Sequence, residues 1–340
     1  MNLSNKFNLP EVSPIKLRSE ADYYGTSDLV ASRLGIPSPP VSNASWLHGW
    51  RFQNVKNVGE LILPFNSHVK RHLVAKEIHT QFLKSKGYEN VFTVGMPFAY
   101  FLEDSDLTDR SKKIPNSLLV MPPHTTKRVD SAPEEKKYIN YIRENVSKDT
   151  FVCFCVHQDC EAKGYWVNEL NEAGIPYVVG ASLEDKNGIL RMIEIYKHFE
   201  AMTTNTFGSH VLQASLCNLS VSVCGPMYKH SLSGAINSTH WIYKKDDIQS
   251  FKNLIHGYDH EVLLKDYPHL FCDIKDAVPH LDWAREESGY NKKVSFEELA
   301  VLLGWNEKLY NLIDYHTFRY MRLIKREIGY HLSRLSNKSA

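Results

Sequence analysis

The segment AMTTNTFGSHVLQASLCNLSVSVCGP, residues 201–226, decides the fold class of this 340-residue chain. It begins with a short β-prone run, continues through the polar turn N-T-F-G-S-H, and enters an apolar run with helical spacing at Ser209. A second β-prone run follows and stops at Gly225 and Pro226. A strand, a helix and a strand joined by such short connections predict two neighbouring parallel strands.

The same alternation precedes this segment. Strands are predicted in NSLLVMPP, DTFVCFCVH and IPYVVGA, with helices over residues 132–146, 164–173 and 187–200. Farther upstream, apolar side chains at helical spacing predict a helix over residues 68–86. Short strands are predicted in ASWLHGW, VGELILPF and ENVFTVGMPFAYFL. The predicted fold class is therefore α/β, with two Rossmann-like domains and a helical C-terminal region.

Three segments are expected along the chain. Residues 1–114 form a first α/β domain, residues 115–310 a second one, and residues 311–340 a basic amphipathic helix. The polar, proline-ended stretch over residues 104–116 is the predicted linker between the two domains.

Composition excludes several classes of protein. Apolar residues make up 43% of the chain, charged residues 23%, and the formal net charge is +1, which gives no global attraction for nucleic acid. No apolar run reaches the roughly 18 residues of a membrane span, and the first twenty residues do not resemble a signal peptide. A cytoplasmic location is predicted.

Six cysteines include the cluster C-F-C-V-H-Q-D-C, which begins at Cys153. A metal site is one interpretation, but no second pair of ligands follows at zinc-like spacing. Buried thiols in a reducing compartment are the favoured alternative, and no metal is predicted.

Ligands of open α/β sheets bind beyond the carboxyl ends of the strands, so the residues there are the site candidates. They are His48, His124, His157, Asp159, Asn205, Thr206, Gly208, Ser209 and Tyr228. Gly208 and Ser209 open a predicted helix whose first N–H groups can hold a phosphate. An ordinary helix cap is the alternative, because Ser, Thr and Asn are preferred at caps in any case.

Residues 46–226 resemble GT-B glycosyltransferases of bacterial capsule, lipopolysaccharide and surface-polysaccharide biosynthesis. The similarity lies in VVGASLED and in T-T-N-T-F-G-S-H with the strand and Gly-Pro that follow it. The first half is similar, more loosely, to teichoic-acid and capsule transferases through W-L-H-G-W and F-T-V-G-M-P. Two features depart from the pattern: Gln213 stands where an acidic residue is usual, and no His-Pro pair for a cytidine nucleotide is evident.

The resemblance implies a metal-independent transferase that takes a CMP- or UDP-linked sugar and needs no further cofactor. Asn205, Thr206, Gly208 and Ser209 would then hold the donor phosphate, and His48 would act as general base for the acceptor hydroxyl. The alternative for His48 is a turn histidine bonded to the backbone.

Each of the other candidates keeps more than one interpretation. Asp159 is a second candidate base, a residue that orients a histidine, or a helix cap. His124, His157 and Tyr228 either contact the nucleotide or belong to ordinary loops and caps.

A glycan or a lipid-linked glycan is the expected acceptor. The C-terminal helix would lie on the anionic inner face of the membrane or pack back on the first domain. The rival functions are a sugar-nucleotide epimerase of the same fold and a non-catalytic scaffold in polysaccharide assembly.

Overall fold

A computed structural model describes residues 1–63, 69–103, 111–124, 134–229, 252–253 and 255–306. A first sheet consists of β1 (Ala44–Trp46), β2 (Arg71–Val74) and β3 (Val91–Thr93), in that order and all parallel. Helix α1 (Thr26–Arg33) precedes this sheet, and α2 (Glu77–Ser85) connects β2 to β3. The centre of the sheet is apolar and closed to solvent at Trp46, Leu73 and Val74.

The second sheet has six strands in the order β6-β5-β4-β7-β8-β9. Their bounds are β4 (Ser117–Val120), β5 (Phe151–Val156), β6 (Tyr177–Val179), β7 (Ala201–Thr204), β8 (Ser220–Val223) and β9 (Val278–Pro279). The first five are mutually parallel and β9 is antiparallel. Because β5 and β6 extend to one side of β4 while β7 and β8 extend to the other, the strand order reverses between β4 and β7. This Rossmann-like topology confirms the predicted α/β fold class.

Helices cover both faces of the second sheet. They are α3 (Glu135–Asn145), α4 (Gln158–Ala162), α5 (Val167–Glu172), α6 (Gly188–Lys197) and α7 (Ser209–Leu216). Central strand residues such as Leu119, Phe154 and Met202 are fully buried, as expected for a parallel sheet packed on both sides. Within residues 201–226, strand β7, helix α7 and strand β8 lie where the sequence predicts them.

The helix predicted over residues 68–86 is wrong in its first part. Residues Arg71–Val74 form β2, which pairs with both other strands of the first sheet. His72 and Leu73 project to opposite faces and are both buried, at 4% and 1% exposure. Burial on both faces removed the polar alternation that would have indicated a strand. The short strand predicted in VGELILPF is also wrong, because Val58–Glu60 is a 3₁₀ turn.

Segments distant in sequence tie the two sheets together. Leu3 N donates to Tyr177 O at 2.8 Å, so the N-terminal segment runs beside β6. Helices α8 (His260–Asp266), α9 (Leu281–Ser288) and α10 (Phe296–Leu302) follow β8. The region of α9 and α10 contacts the first sheet and its connections: Met96 N donates to Ser288 O at 2.8 Å, and Trp305 Nε1 donates to Ser42 Oγ at 3.0 Å.

The division of the chain into three segments stays a prediction. The amphipathic helix of residues 311–340 and most of the linker of residues 104–116 lie outside the described residues. Within the described part of the chain, no helix combines the length and the apolar character needed to cross a membrane.

Gly289 and Gly174 offer a matched test of the contact between α9 and the first sheet. Both have positive φ, +65° and +67°, so alanine costs about 1–2 kcal/mol of strain at either position. A Cβ at Gly174 meets nothing within 4 Å, whereas one at Gly289 would overlap Ala75 O. We expect Gly289→Ala to lower the free energy of unfolding by about 3 kcal/mol and Gly174→Ala by about 1 kcal/mol in urea titrations. Equal losses would contradict the described packing.

Candidate functional site

A cavity of about 420 Å³ opens at the carboxyl ends of the strands of the second sheet. Its walls include residues that follow β4 (Met121 to His124), β5 (His157), β6 (Gly180) and β7 (Thr206 to Ser209). Tyr24, His48 and Phe98, from the part of the chain that contains the first sheet, complete the described lining on the opposite side. The cavity therefore occupies the point where the strand order reverses, the position at which open α/β sheets bind ligands.

The turn at Gly208 presents backbone N–H groups to this cavity. Gly208 is extended, with φ 170° and ψ −170°, and Ser209 is the first residue of α7. Within the described residues, the N–H groups of Gly208, Ser209 and His210 make no hydrogen bond, as expected for the first turn of a helix. Partial positive charge accumulates at such an end, so the turn can hold an anion.

Hydrogen bonds hold the turn in place. Thr204 Oγ1 donates to Met121 O at 2.6 Å and accepts from Thr206 N at 3.2 Å, which joins the ends of β4 and β7. Ser209 Oγ accepts from Trp50 N at 2.9 Å, so the loop after β1 is tied to the start of α7. These contacts fix the distance between the His48 side and the Gly208 side of the cavity.

Asn205 does not contribute its side chain to the cavity lining. Its Nδ2 donates to Pro226 O at 2.7 Å, and the residue is only 5% exposed. Its Oδ1 is buried without a hydrogen-bond partner. Its neighbours Thr206, Gly208 and Ser209, which were predicted with it as phosphate contacts, do line the cavity.

His48 lines the cavity with both ring nitrogens already in contact with the protein. Nδ1 lies 2.8 Å from Trp46 O, a carbonyl that can only accept, so Nδ1 carries a proton. Nε2 lies 2.9 Å from Thr26 Oγ1, which in turn lies 2.7 Å from Tyr23 O. Burial lowers the pKa of His48 to about 4, although the contact with Trp46 O opposes the shift. The imidazole is therefore neutral at pH 7, with its lone pair on Nε2.

Three further histidines line the opposite wall: His124, His157 and His210. The rings of His124 and His157 stack with centroids 4.7 Å apart and planes 12° apart. Burial lowers the pKa of His157 and of His210 to about 3, and repulsion from His124 adds to both shifts. This wall consists of imidazole rings that remain neutral in the absence of a ligand.

Asp159 and Tyr228 differ in their relation to the cavity. Asp159 lies in the first turn of α4, outside the described lining; its backbone N–H donates to His157 Nδ1 at 3.0 Å. His157 is thus the N-terminal cap of α4. The Asp159 carboxylate oxygen Oδ2 lies 3.9 Å from His157 Nδ1. Tyr228 lines the cavity, and its backbone N–H donates to Asn205 O at 2.8 Å.

Sequence reasoning missed several residues of the lining: Tyr24, Phe207, His210, Gln213 and Tyr258. His210 follows the predicted phosphate turn directly, so its spacing was a usable signal. Tyr24 has φ +56°, a left-handed conformation that a bulky side chain rarely adopts. No local pattern in the sequence marks that conformation; in the structure Tyr24 packs so closely on Gly188 that a Cβ added there would lie 3.1 Å from the Tyr24 Cβ.

The described lining contains no Asp, Glu, Lys or Arg. The structure also groups no three His, Cys, Asp or Glu side chains that could hold a metal ion among the residues it describes. The polar residues of the described lining therefore bring imidazoles, hydroxyls, the Gln213 amide, the Cys155 thiol and backbone amides. These groups donate hydrogen bonds to anions and accept protons, but they bring no fixed charge.

No protein-family model and no curated protein sequence matches this chain. Among solved structures, the UDP-GlcNAc 2-epimerase of Neisseria meningitidis bound to UDP-GlcNAc is 12% identical, with 83% of this chain and 80% of that chain covered and a TM-score of 0.35. The Methanocaldococcus jannaschii UDP-GlcNAc 2-epimerase is 14% identical, with 85% of each chain covered and a TM-score of 0.36.

A third similar structure contains accessory secretory proteins 1, 2 and 3 of Streptococcus pneumoniae. It is 14% identical, covers 75% of this chain and 46% of that chain, and has a TM-score of 0.32. At these TM-scores the likenesses carry no argument about the activity of this chain.

Proposed function

We propose that this protein is a glycosyltransferase that moves a sugar from a nucleotide-sugar donor to an acceptor hydroxyl. The observation that carries the proposal is the cavity at the strand-order reversal, where the amides of the Gly208 turn face the same space as His48. A donor phosphate binds at the start of α7, and the acceptor binds on the side of Tyr24 and His48. The donor is a CMP- or UDP-linked sugar, and no metal takes part.

The transfer step assigns a role to each side of the cavity. The acceptor oxygen bonds to the anomeric carbon, the bond from that carbon to the phosphate oxygen breaks, and the nucleotide leaves with the bonding electrons. The N–H groups of Gly208 and Ser209 stabilise the charge that develops on the phosphate. The proton of the acceptor hydroxyl passes to His48 Nε2.

His48 can accept that proton only if Thr26 releases its ring nitrogen. The Thr26 hydroxyl has a second acceptor in reach, because its Oγ1 lies 2.7 Å from Tyr23 O. With its single proton directed to Tyr23 O, the hydroxyl no longer donates to His48 Nε2. The lone pair of Nε2 is then available to an incoming hydroxyl.

The two rival functions differ in what the cavity should contain. An epimerase that works on one substrate should show carboxylates and histidines from both sides, and none of the described lining residues is a carboxylate. A scaffold needs no open cavity with unpaired amides, yet the Gly208 turn leaves such amides facing about 420 Å³ of space. Both observations favour the transferase.

The acceptor, by the same proposal, is a bacterial surface glycan or a lipid-linked precursor of one. Such an acceptor would bring the protein to the inner face of the cytoplasmic membrane. The basic helix of residues 311–340, which lies outside the described residues, is proposed to make that contact.

The proposal is tested by nucleotide binding to the wild type and to Gly208→Ala. Gly208 is extended and its added Cβ would lie 3.4 Å from His210 Nδ1, an ordinary contact, so the variant should fold normally. The methyl group keeps an anion away from the amides, and we expect about tenfold weaker binding of UDP or CMP by calorimetry.

Ser295→Ala is the matched control. Ser295 caps α10, where its Oγ accepts from Glu298 N at 3.1 Å, and it is not among the cavity-lining residues. Its loss should cost about 1 kcal/mol of stability and leave nucleotide affinity unchanged. If no nucleoside mono- or diphosphate stabilises the wild type in a thermal-shift panel, the transferase and the epimerase both fail as functions.

A further inference from the structure

Three imidazoles, of His124, His157 and His210, line the same cavity as the Gly208 turn, and they are not equivalent. His157 has its side chain 15% exposed, and His210 is half-buried at the second position of α7. His124 follows β4, is exposed, and stacks on His157. Because the described lining has no Lys or Arg, these rings are its nearest substitutes for a cation.

The hydrogen bond of His157 fixes its ring in a neutral form, and the hydrogen bond of His210 shows which of its nitrogens carries a proton. His157 Nδ1 accepts from Asp159 N at 3.0 Å, so its proton is on Nε2. His210 Nε2 lies 3.1 Å from Thr204 Oγ1, whose own proton goes to Met121 O; the ring nitrogen is therefore the donor. A second proton on His157 would break the cap of α4. The described residues make no comparable hydrogen bond to His124, whose ring is free to change its charge.

We propose that His124 is a proton-linked phosphate contact: a phosphate-bearing ligand that binds at the Gly208 turn draws a proton onto His124, which then lies against the ligand as an imidazolium. This inference rests on the proposed function, because it concerns the donor phosphate. It goes beyond that function in stating that the protein carries its counter-charge only when the ligand is present.

The charged and titratable groups that face His124 from the described elements act in opposite directions. Desolvation by the surrounding cavity wall lowers the pKa of His124 even though the residue keeps exposed surface, and Asp159 on α4 opposes that shift. A charge on His124 lowers the pKa values of His157, from the end of β5, and of His210, from α7, so those two rings stay neutral and do not repel an imidazolium at His124. A phosphate within about 4–6 Å favours the charged form and raises the pKa of His124. The neutral ring of His157 gives the imidazolium a stacking surface.

Binding of the phosphate ligand is therefore coupled to protonation of His124. The pKa of His124 is higher in the complex than in the free protein, so the complex binds more protons between the two values. Affinity for the phosphate ligand therefore increases as the pH falls through that interval and is lowest above both pKa values. His124→Asn keeps a polar planar side chain but cannot take up the proton.

Histidine side-chain NMR of the full chain measures the pKa of His124 directly, without ligand and with UDP, CMP or inorganic pyrophosphate as the probe. His124→Asn identifies the His124 signal by its absence. We expect saturation with UDP or CMP to raise the pKa of that signal by at least about one unit, which corresponds to a tenfold difference in affinity between its two protonation states. The matched control is His198→Asn: His198 also stacks on an aromatic ring, Phe7 at 4.5 Å, but it does not line the cavity.

Affinities at pH 6 and pH 8 complete the test. The ligand's own titration is the same for both proteins, so the ratio of wild-type to variant affinity isolates His124. We expect His124→Asn to weaken UDP binding about threefold more at pH 6 than at pH 8, and His198→Asn to change neither value. If UDP binds while the pKa of His124 stays constant, the inference is overturned and the proposed function stands. If none of the three probes binds the wild type, both the inference about His124 and the proposed function are contradicted.

Discussion

Replacing His48 with glutamine is expected to lower turnover by about 10²- to 10⁴-fold while nucleotide affinity changes less than twofold. Glutamine can still donate to Trp46 O, as His48 Nδ1 does across 2.8 Å, so the loop after β1 should keep its conformation. It has no basic nitrogen to place where Nε2 lies. Turnover is measured as release of free nucleotide from a CMP- or UDP-linked sugar selected by binding, with and without glycan acceptor.

His72→Gln is the matched control for that experiment. His72 is a second buried histidine of the same part of the chain, with Nδ1 2.8 Å from Ser45 Oγ, and it does not line the cavity. Its replacement should lower stability and leave turnover per folded molecule unchanged. If His48→Gln loses only what its folded fraction loses, His48 is the turn histidine bonded to the backbone that the sequence left as the alternative.

Thr26→Val separates the two roles of the His48 contact with α1. Thr26 is fully buried, and its hydroxyl is within reach of both His48 Nε2 and Tyr23 O. If the hydroxyl only restrains a base, its removal lowers stability but frees Nε2, and turnover should be retained or increased at a temperature where the variant is folded. Parallel losses of turnover in Thr26→Val and His48→Gln would indicate that the pair acts structurally.

The second sheet could be predicted from the sequence because its strands are short, apolar and bounded by turn residues. Residues 201–226 show this best: the helix from Ser209 to Leu216 lies between two strands at the expected places. The helix start is marked by polar turn residues and the strand end by Gly-Pro. These are local signals, which a single sequence contains.

The first sheet could be predicted from the sequence except for its middle strand, β2. Its strands are three or four residues long, and RHLV at 71–74 has the same apolar spacing as the helix that follows it. What makes this segment a strand is its pairing with β1 and β3, which lie 27 and 19 residues away in the registered pairs of His72. Pairing over such separations leaves no local pattern in the sequence.

The candidate site likewise contains residues that the sequence predicted and residues that it did not. Residues at strand ends, such as His48, His157 and Gly208, were found because the fold class alone directs attention there. Tyr24 and Tyr258 line the cavity from a 3₁₀ turn near the N-terminus and from a loop after residue 257. Only the tertiary contacts bring those segments to the strand ends. The uncharged character of the described lining was equally hidden, because it depends on which side chains face inward.

Acid is expected to destabilise the protein between pH 6.5 and pH 4 through its buried histidines, and two of these belong to the first sheet and its helix. His72 and His79 are each 4% exposed, and burial lowers their pKa values to about 4 and about 3. Lys76 and Arg51 add to the shift at His79. Both folded-state values lie below the ordinary value of 6.5, so the unfolded chain binds more protons in this interval. Their contribution to stability is complete above pH 6.5 and is lost as the pH falls towards the folded-state values.

At pH 5 the two residues together should cost about 4 kcal/mol relative to pH 7.5, at about 1.4 kcal/mol for each histidine and pH unit below 6.5. His79→Leu isolates one of them. His79 Nδ1 is buried without a hydrogen-bond partner, so leucine should be tolerated at pH 7.5 and should be about 2 kcal/mol more stable than the wild type at pH 5. Urea titrations at the two pH values measure the difference. An unchanged pH dependence in His79→Leu would mean that His79 is solvated or charged in the folded protein, and that the packing of α2 on the first sheet is looser than described.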